Sequence, residues 1–115
     1  MIERYRVYWV ELDPVVGSEM SKTRPAVVIS DDGMNRSLQT VVVCPVTSRL
    51  HPRWPSRVQT HVAGRPVEIA VDQIHTVSRE RLRDEIGAID DDTAATVRHV
   101  ITQMYGLRSV SSTDE

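Results

Sequence analysis

Apolar positions in this chain fall in short clusters divided by turn-forming residues, and they take helical spacing only near the C-terminus. Val7-Tyr8-Trp9-Val10-Glu11-Leu12 is aromatic and β-branched and closes at Asp13-Pro14, which predicts a strand. Ala26 to Ser30 reads as a buried strand, Gln39 to Val46 as the most β-like stretch, Val58 to Val62 as a half-buried strand of period two, and Val67 to Val71 as the next. Ile86-Gly87-Ala88-Ile89 is a short final strand. Asp31 to Ser37 has turn chemistry with room for one helical turn, Ala63-Gly64-Arg65-Pro66 is a turn, and Ser78 to Leu82 is a second single helical turn. Asp90-Asp91-Asp92-Thr93 opens the one clear helix, where Ala94, Val97, Val100, Ile101 and Met104 recur at helical spacing and Gly106 is the stop.

Several short strands with one terminal helix predict an α+β, mostly β domain: a strongly curved sheet or partly open barrel closed at one end by the helix. One domain is expected over residues 1–108, followed by a flexible tail at 109–115. Two connections are long for so small a domain, Val15 to Thr23 and the loop His51-Pro52-Arg53-Trp54-Pro55, so function is expected there.

Charge changes this picture through its distribution. The formal net charge is only −2, but Lys22 to Arg57 carries six basic residues against two acidic ones, a balance of +4. Glu80 to Glu115 carries four basic and eight acidic residues, a balance of −4. One face is therefore expected to attract anions. Cys44, the single cysteine, excludes an intrachain disulfide and reads as a small buried hydrophobe. The N-terminus does not resemble a signal peptide and no apolar run approaches membrane-spanning length, so a cytoplasmic protein is expected.

The candidate chemistry lies where strands begin or stop. Ser18-Glu19, Thr23-Arg24, Thr47-Ser48 and Asp72-Gln73 are polar ends that antiparallel neighbours would gather on one rim. Together they offer a fixed cation, hydroxyls, an amide and two carboxylates. The four histidines (His51, His61, His75, His99) are scattered and no cysteine cluster accompanies them, so no metal and no cofactor is expected. A cation with hydroxyls suits a phosphodiester that carries its own nucleophile, as RNA does in its 2′-hydroxyl. Taken singly, each residue has a plainer reading: Arg24 as a surface arginine, Thr47 and Ser48 as turn residues, Asp72 as a turn cap, Glu19 as a solvated loop carboxylate. Trp54, between Arg53 and Arg57, either stacks on an RNA base or packs its loop onto the barrel, and packing is preferred. His75 reads as structural rather than as a general base.

Four blocks in order resemble the MazF/PemK/Kid family of toxins from bacterial toxin–antitoxin pairs. They are Val7 to Pro14 with Val16-Gly17-Ser18-Glu19, Lys22 to Ser30 with Asn35-Arg36, Cys44 to Ser48, and Val71 to Thr76; Arg81-Leu82 and Ile86-Gly87 resemble the closing segment. The resemblance implies an SH3-like β-barrel of the CcdB/PemK-like toxin fold with a C-terminal helix, usually a homodimer. It implies a metal-independent endoribonuclease that cleaves single-stranded RNA to a 2′,3′-cyclic phosphate and a 5′-hydroxyl. By the same resemblance Arg24 and Thr47 are catalytic, Arg24 binding the scissile phosphate and helping to move protons and Thr47 hydrogen-bonding that phosphate. Glu19, Lys22, Thr23, Ser48, Arg49, Asp72, Gln73 and Trp54 are supporting or RNA-binding candidates. The implied partners are single-stranded RNA and a cognate antitoxin laying an acidic, extended segment over the groove, with no membrane.

The chain departs from the family pattern in four places. Tyr5-Arg6 stands for the usual Gly-Asp or Gly-Glu, which is expected to alter the bend before the first strand; Ser18 replaces a histidine of some members; Ala70 replaces an arginine catalytic in the PemK/Kid branch; and His75 stands where many members have arginine. Two rival readings follow: a non-enzymatic gyrase poison resembling CcdB, against which the polar C-terminus speaks, and a catalytically inactive antitoxin-binding homologue.

Overall fold

The computed structural model describes residues 1–11 and 22–106. Glu19 and its loop, and the tail expected at 109–115, lie outside the described residues. In chain order the elements are β1 (Arg6–Glu11), β2 (Thr23–Val28), α1 (Asp32–Ser37), β3 (Thr40–Thr47), β4 (Arg57–Val62), β5 (Arg65–Ala70), β6 (His75–Ser78), β7 (Leu82–Ala88) and α2 (Asp91–Tyr105). Single 3-10 turns at Val71–Gln73 and Arg79–Arg81 bracket β6. The strands form one curled antiparallel sheet in the order β4-β5-β3-β2-β1-β7, with β6 on β3.

Strand β3 organises the sheet because it serves three neighbours. On one edge Val43, Cys44 and Pro45 pair with β2. On the other, Thr40 to Val43 pair with β6, and Val46 and Thr47 pair with β5. Pro45 sits at the change of partner, where a residue without an N–H costs the ladder least. The β2–β3 ladder ends at Ala26 opposite Pro45, one residue short of Pro25. Two prolines therefore mark the place where the strands part.

The sheet is buried on both faces, which is why its central strands read as continuous apolar runs. Val7, Val27, Cys44, Val46, Val58 and Ile69 pack on one side under Ala94, Val97 and Val100 of α2. Tyr8, Val10, Ala26, Val28, Val41, Val43 and Val77 form the second cluster on the other side. Cys44 is fully buried, and burial, aided by the charge of Asp72, pushes its thiol up to about 12, so it behaves as the small hydrophobe expected.

Both helices start on aspartate caps: Asp31 accepts from the Met34 N–H and Asp90 from the Thr93 N–H. At the far end of α2 the Gly106 N–H donates to Thr102, and a Cβ there would lie 2.4 Å from the Thr102 oxygen, so the close approach demands glycine.

Several boundaries differ from the sequence reading. Strand β2 begins at Thr23 and runs through Arg24 and Pro25, because Val10 and Trp9 of β1 pair with them. Strand β7 begins at Leu82, and its charged residues Arg83, Asp84 and Glu85 are exposed on an edge paired only with β1. Strand β6 is absent from the sequence reading: four residues, His-Thr-Val-Ser, hold too little pattern to declare themselves. The turn into β1 runs through Tyr5, whose φ of 69° is the left-handed conformation that favours glycine. Its backbone links Val28 and Ile89, and its hydroxyl accepts from Arg98 at 2.9 Å, contacts that hold the strained backbone in place.

The β4–β5 hairpin turns on Ala63 and Gly64, with φ of 52° and 77°, between the paired residues Val62 and Arg65. Positive φ at both central positions is the demand of a type I′ turn, which asparagine meets better than alanine. Ala63→Asn should raise stability by about 0.5–1 kcal/mol and Gly64→Ala should lower it by about 1 kcal/mol or more. Urea unfolding of both variants checks this, and an Ala63→Asn protein no more stable than wild type would refute the turn assignment.

Candidate functional site

A groove of about 860 Å³ opens where β2 and β3 diverge. Its walls are apolar, with Trp9, Pro25, Pro45, Val46, Val67 and Ile86 among them, and Thr23, Arg24, Thr47, Ser48, Arg65, Gln73 and His75 supply its polar groups. Register explains why Arg24 and Thr47 meet. Ala26 pairs with Pro45, so continuing two residues along each strand sets Arg24 opposite Thr47 on the same face of the sheet. The prolines stop the ladder there, and the space between the strands becomes the groove.

Thr47 has a second neighbour. Across β5 it pairs with Glu68, and Glu68 pairs in turn with Gln59 of β4. One row of the sheet therefore reads Arg24, Thr47, Glu68, Gln59. The Glu68 side chain is 0% exposed and accepts from four donors: Gln59 Nε2 at 2.8 Å, His51 Nδ1 at 2.9 Å, the His51 backbone N–H and Arg57 Nη1. Burial alone pushes its carboxyl up, but the bonds from Gln59, the His51 backbone and ring, and Arg57 outweigh burial and hold it at about 2. Arg57 also bonds Asp72 at 2.9 Å. Burial raises the Asp72 carboxyl too, and hydrogen bonds from Arg57 and Ser56 override it, leaving Asp72 below its ordinary range.

The consequence for the groove is electrostatic. Every strong acceptor position of Glu68 is taken, so it does not neutralise Arg24 two strands away. Among the described residues Arg24 has no ion-pair partner, and its guanidinium is exposed. Beside it the Thr47 hydroxyl oxygen accepts from the Arg49 N–H at 3.1 Å, which leaves its own proton to donate outward. An exposed cation that no described carboxylate neutralises, next to an oriented hydroxyl on an apolar floor, is a site for a phosphate flanked by bases.

Of the residues singled out in the sequence, Thr23, Arg24, Thr47, Ser48 and Gln73 come together in the groove. Arg49 contributes its backbone N–H to Thr47, while Lys22 is exposed beside Thr23 outside the lining. Asp72, expected on the rim, turns its carboxylate to Arg57 instead, because that guanidinium lies 2.9 Å away and needs a second acceptor. Trp54 also stays out of the groove: its ring stacks on His51 at 3.9 Å and lies under the Arg57 guanidinium at 4.6 Å, the packing role preferred above. The sequence reading missed Glu68, Arg57 and His51 as a unit. Their one sequence signal is a carboxylate at an inward step of an otherwise apolar strand, Val67-Glu68-Ile69-Ala70. Among the described residues no three His, Cys, Asp or Glu side chains stand close enough to hold a metal ion.

The profile of a family described as PemK-like, MazF-like toxin of type II toxin-antitoxin system matches residues 3–105. A relative from Staphylococcus saprophyticus, Endoribonuclease MazF, is 30% identical over 120 residues, covering 97% of this chain and 98% of the relative. Endoribonuclease EndoA of Bacillus subtilis is 34% identical over 100 residues, covering 80% of this chain and 84% of the relative. Among solved structures, MazF from Deinococcus radiodurans superposes with a TM-score of 0.75 at 26% identity, covering 92% of this chain and 97% of that one. A MazE-MazF structure from the same organism gives 0.79 at 25% identity, covering 93% and 97%.

The buried carboxylate makes a measurable demand on stability. Glu68→Ala leaves Arg57 facing an emptied pocket and should cost about 3–5 kcal/mol in chemical denaturation. Because folding lowers the Glu68 pKa, its contribution is complete above the ordinary value of 4.5 and is lost as pH falls toward about 2. Thermal melts across that window should therefore fall more steeply for wild type than for Glu68→Gln, and parallel curves would count against the assignment.

Proposed function

The chain belongs to the PemK-like, MazF-like toxin family of type II toxin–antitoxin systems, and we propose that this endoribonuclease toxin cleaves single-stranded RNA in the Arg24–Thr47 groove. The observation that carries the reading is the exposed Arg24, without an ion-pair partner among the described residues, lining one groove with Thr47 where the strands part. RNA needs little covalent help from a protein, because its 2′-hydroxyl is already placed beside the phosphorus. The protein's task is to orient the phosphate and stabilise the charge that grows on it as the fifth bond forms. Arg24 supplies that charge in a form that never deprotonates, and the Thr47 hydroxyl donates to a phosphoryl oxygen. The products are a 2′,3′-cyclic phosphate and a 5′-hydroxyl. No metal is required in this scheme.

The apolar walls of the groove suit two classes of occupant. Splayed nucleobases stack or pack there while the cations hold the backbone. An antitoxin segment carrying acidic and apolar residues satisfies the same walls and cations, and so competes with RNA. The MazE-MazF structures among the structural relatives support such an assembly. The toxin acts as a homodimer in the cytoplasm; no helix among the described residues is long and apolar enough to cross a membrane.

Arg24→Ala should lower cleavage by at least about 10²-fold while leaving the melting temperature unchanged, since the side chain is exposed and has no ion-pair partner among the described residues. Thr47→Val should lower it by about 10-fold or more with the strand intact. End-mapping of a long RNA incubated with the protein in EDTA reads rate, product chemistry and sequence preference together. Cleavage at the wild-type rate by Arg24→Ala, or loss of wild-type cleavage on chelation, would overturn the reading.

A further inference from the structure

The proposed cleavage needs a group to take the proton from the attacking 2′-hydroxyl, and the described lining of the groove holds very little that can do so. Its guanidiniums, Arg24 from β2 and Arg65 from β5, have no proton-accepting lone pair, and hydroxyls and amides are far too weak as bases. Among the described residues no carboxylate lines the groove: Glu68 is sealed beneath its four donors and Asp72 is bound to Arg57. One imidazole does line it, that of His75.

We propose that His75 is the catalytic base, a role that rests on the endoribonuclease reading of this groove. Its position follows from register. His75 pairs with Val43, four residues before Thr47 on β3, so the two stand on the same face of the sheet about 13 Å apart along the strand, both lining the groove. Its tautomer follows from a hydrogen bond. Nδ1 lies 2.8 Å from the Gln73 carbonyl oxygen, which can only accept, so Nδ1 carries the proton and the lone pair remains on Nε2. The ring is exposed to the groove rather than packed in the core, in contrast to the structural role its sequence context suggests.

In the step itself Nε2 accepts the 2′-hydroxyl proton and the freed oxygen pair forms the bond to phosphorus. The bond from phosphorus to the 5′-oxygen breaks with its electron pair, and that oxygen takes a proton from solvent. The imidazolium returns its proton to solvent, so no water is consumed and the enzyme is regenerated.

Three variants assayed on a long single-stranded RNA in EDTA test the role. H75A should lower kcat by about 10²–10⁴-fold with KM little changed, and imidazole added to the buffer should restore part of the rate. H75N keeps a donor for the Gln73 carbonyl but has no Nε2 lone pair, so it should be as slow as H75A while melting like wild type. The proposal is overturned if H75A or H75N cleaves within a few-fold of wild type, or if H75R restores the full rate, since a cation in that place could only hold phosphate. An inert wild type, or an R24A protein that cleaves normally, would instead remove the groove reading on which the proposal stands.

Discussion

The structure depends on one strand meeting two obligations. Strand β3 must hold β2 along its middle and β5 at its end, and Pro45 stands at the handover. A continuous ladder would have closed Arg24 against Thr47 and used their backbones for pairing alone. The prolines at 25 and 45 withdraw two donors at that place, so the strands separate while keeping the register that sets the side chains opposite each other. The groove is thus a by-product of sheet curvature, and its two principal residues are aligned by the hydrogen bonds that precede them.

A second requirement is charge accounting around Thr47. A carboxylate lies on one side of it and a guanidinium on the other, an arrangement that would ordinarily collapse into an ion pair. Here Gln59, His51 and Arg57 saturate Glu68, and Arg57 is itself steadied by Asp72 and by the Trp54 ring. The loop from Ser48 to Ser56 is drawn down by these contacts, including backbone bonds from Trp54 to His51 and from Val71 to Ser56. One buried anion therefore anchors the loop without drawing Arg24 into a pair. The cost of burying it is met by donors from two separate segments, the loop at His51 and strand β4.

Much of this was legible in sequence where local rules act strongly. Asp90 announces its helix because a carboxylate before a helical run caps it whatever surrounds it. The apolar runs of β1, β2 and β3 declare strands because both faces are buried. Strand β6 was illegible because its four residues borrow their geometry from β3, and the start of β7 because an exposed edge strand tolerates Arg-Asp-Glu. Asp72 looked like a groove residue since its neighbour Gln73 is one, yet its carboxylate answers to Arg57, which is distant in the chain.

What the sequence by itself determined was the inventory: the strands, the capped helix, the basic middle of the chain and the blocks around Arg24, Thr47 and Gln73. These follow from propensity, periodicity and residue chemistry, which act over a few neighbours. Tertiary structure decided which of the polar residues share a space and which cancel one another. Arg24 is not neutralised by the carboxylate sharing its row of the sheet because Glu68 is already satisfied, and His75 faces the groove because β6 pairs with β3 in one register and no other. Both outcomes are set by contacts between segments far apart in the chain, where local pattern carries no information.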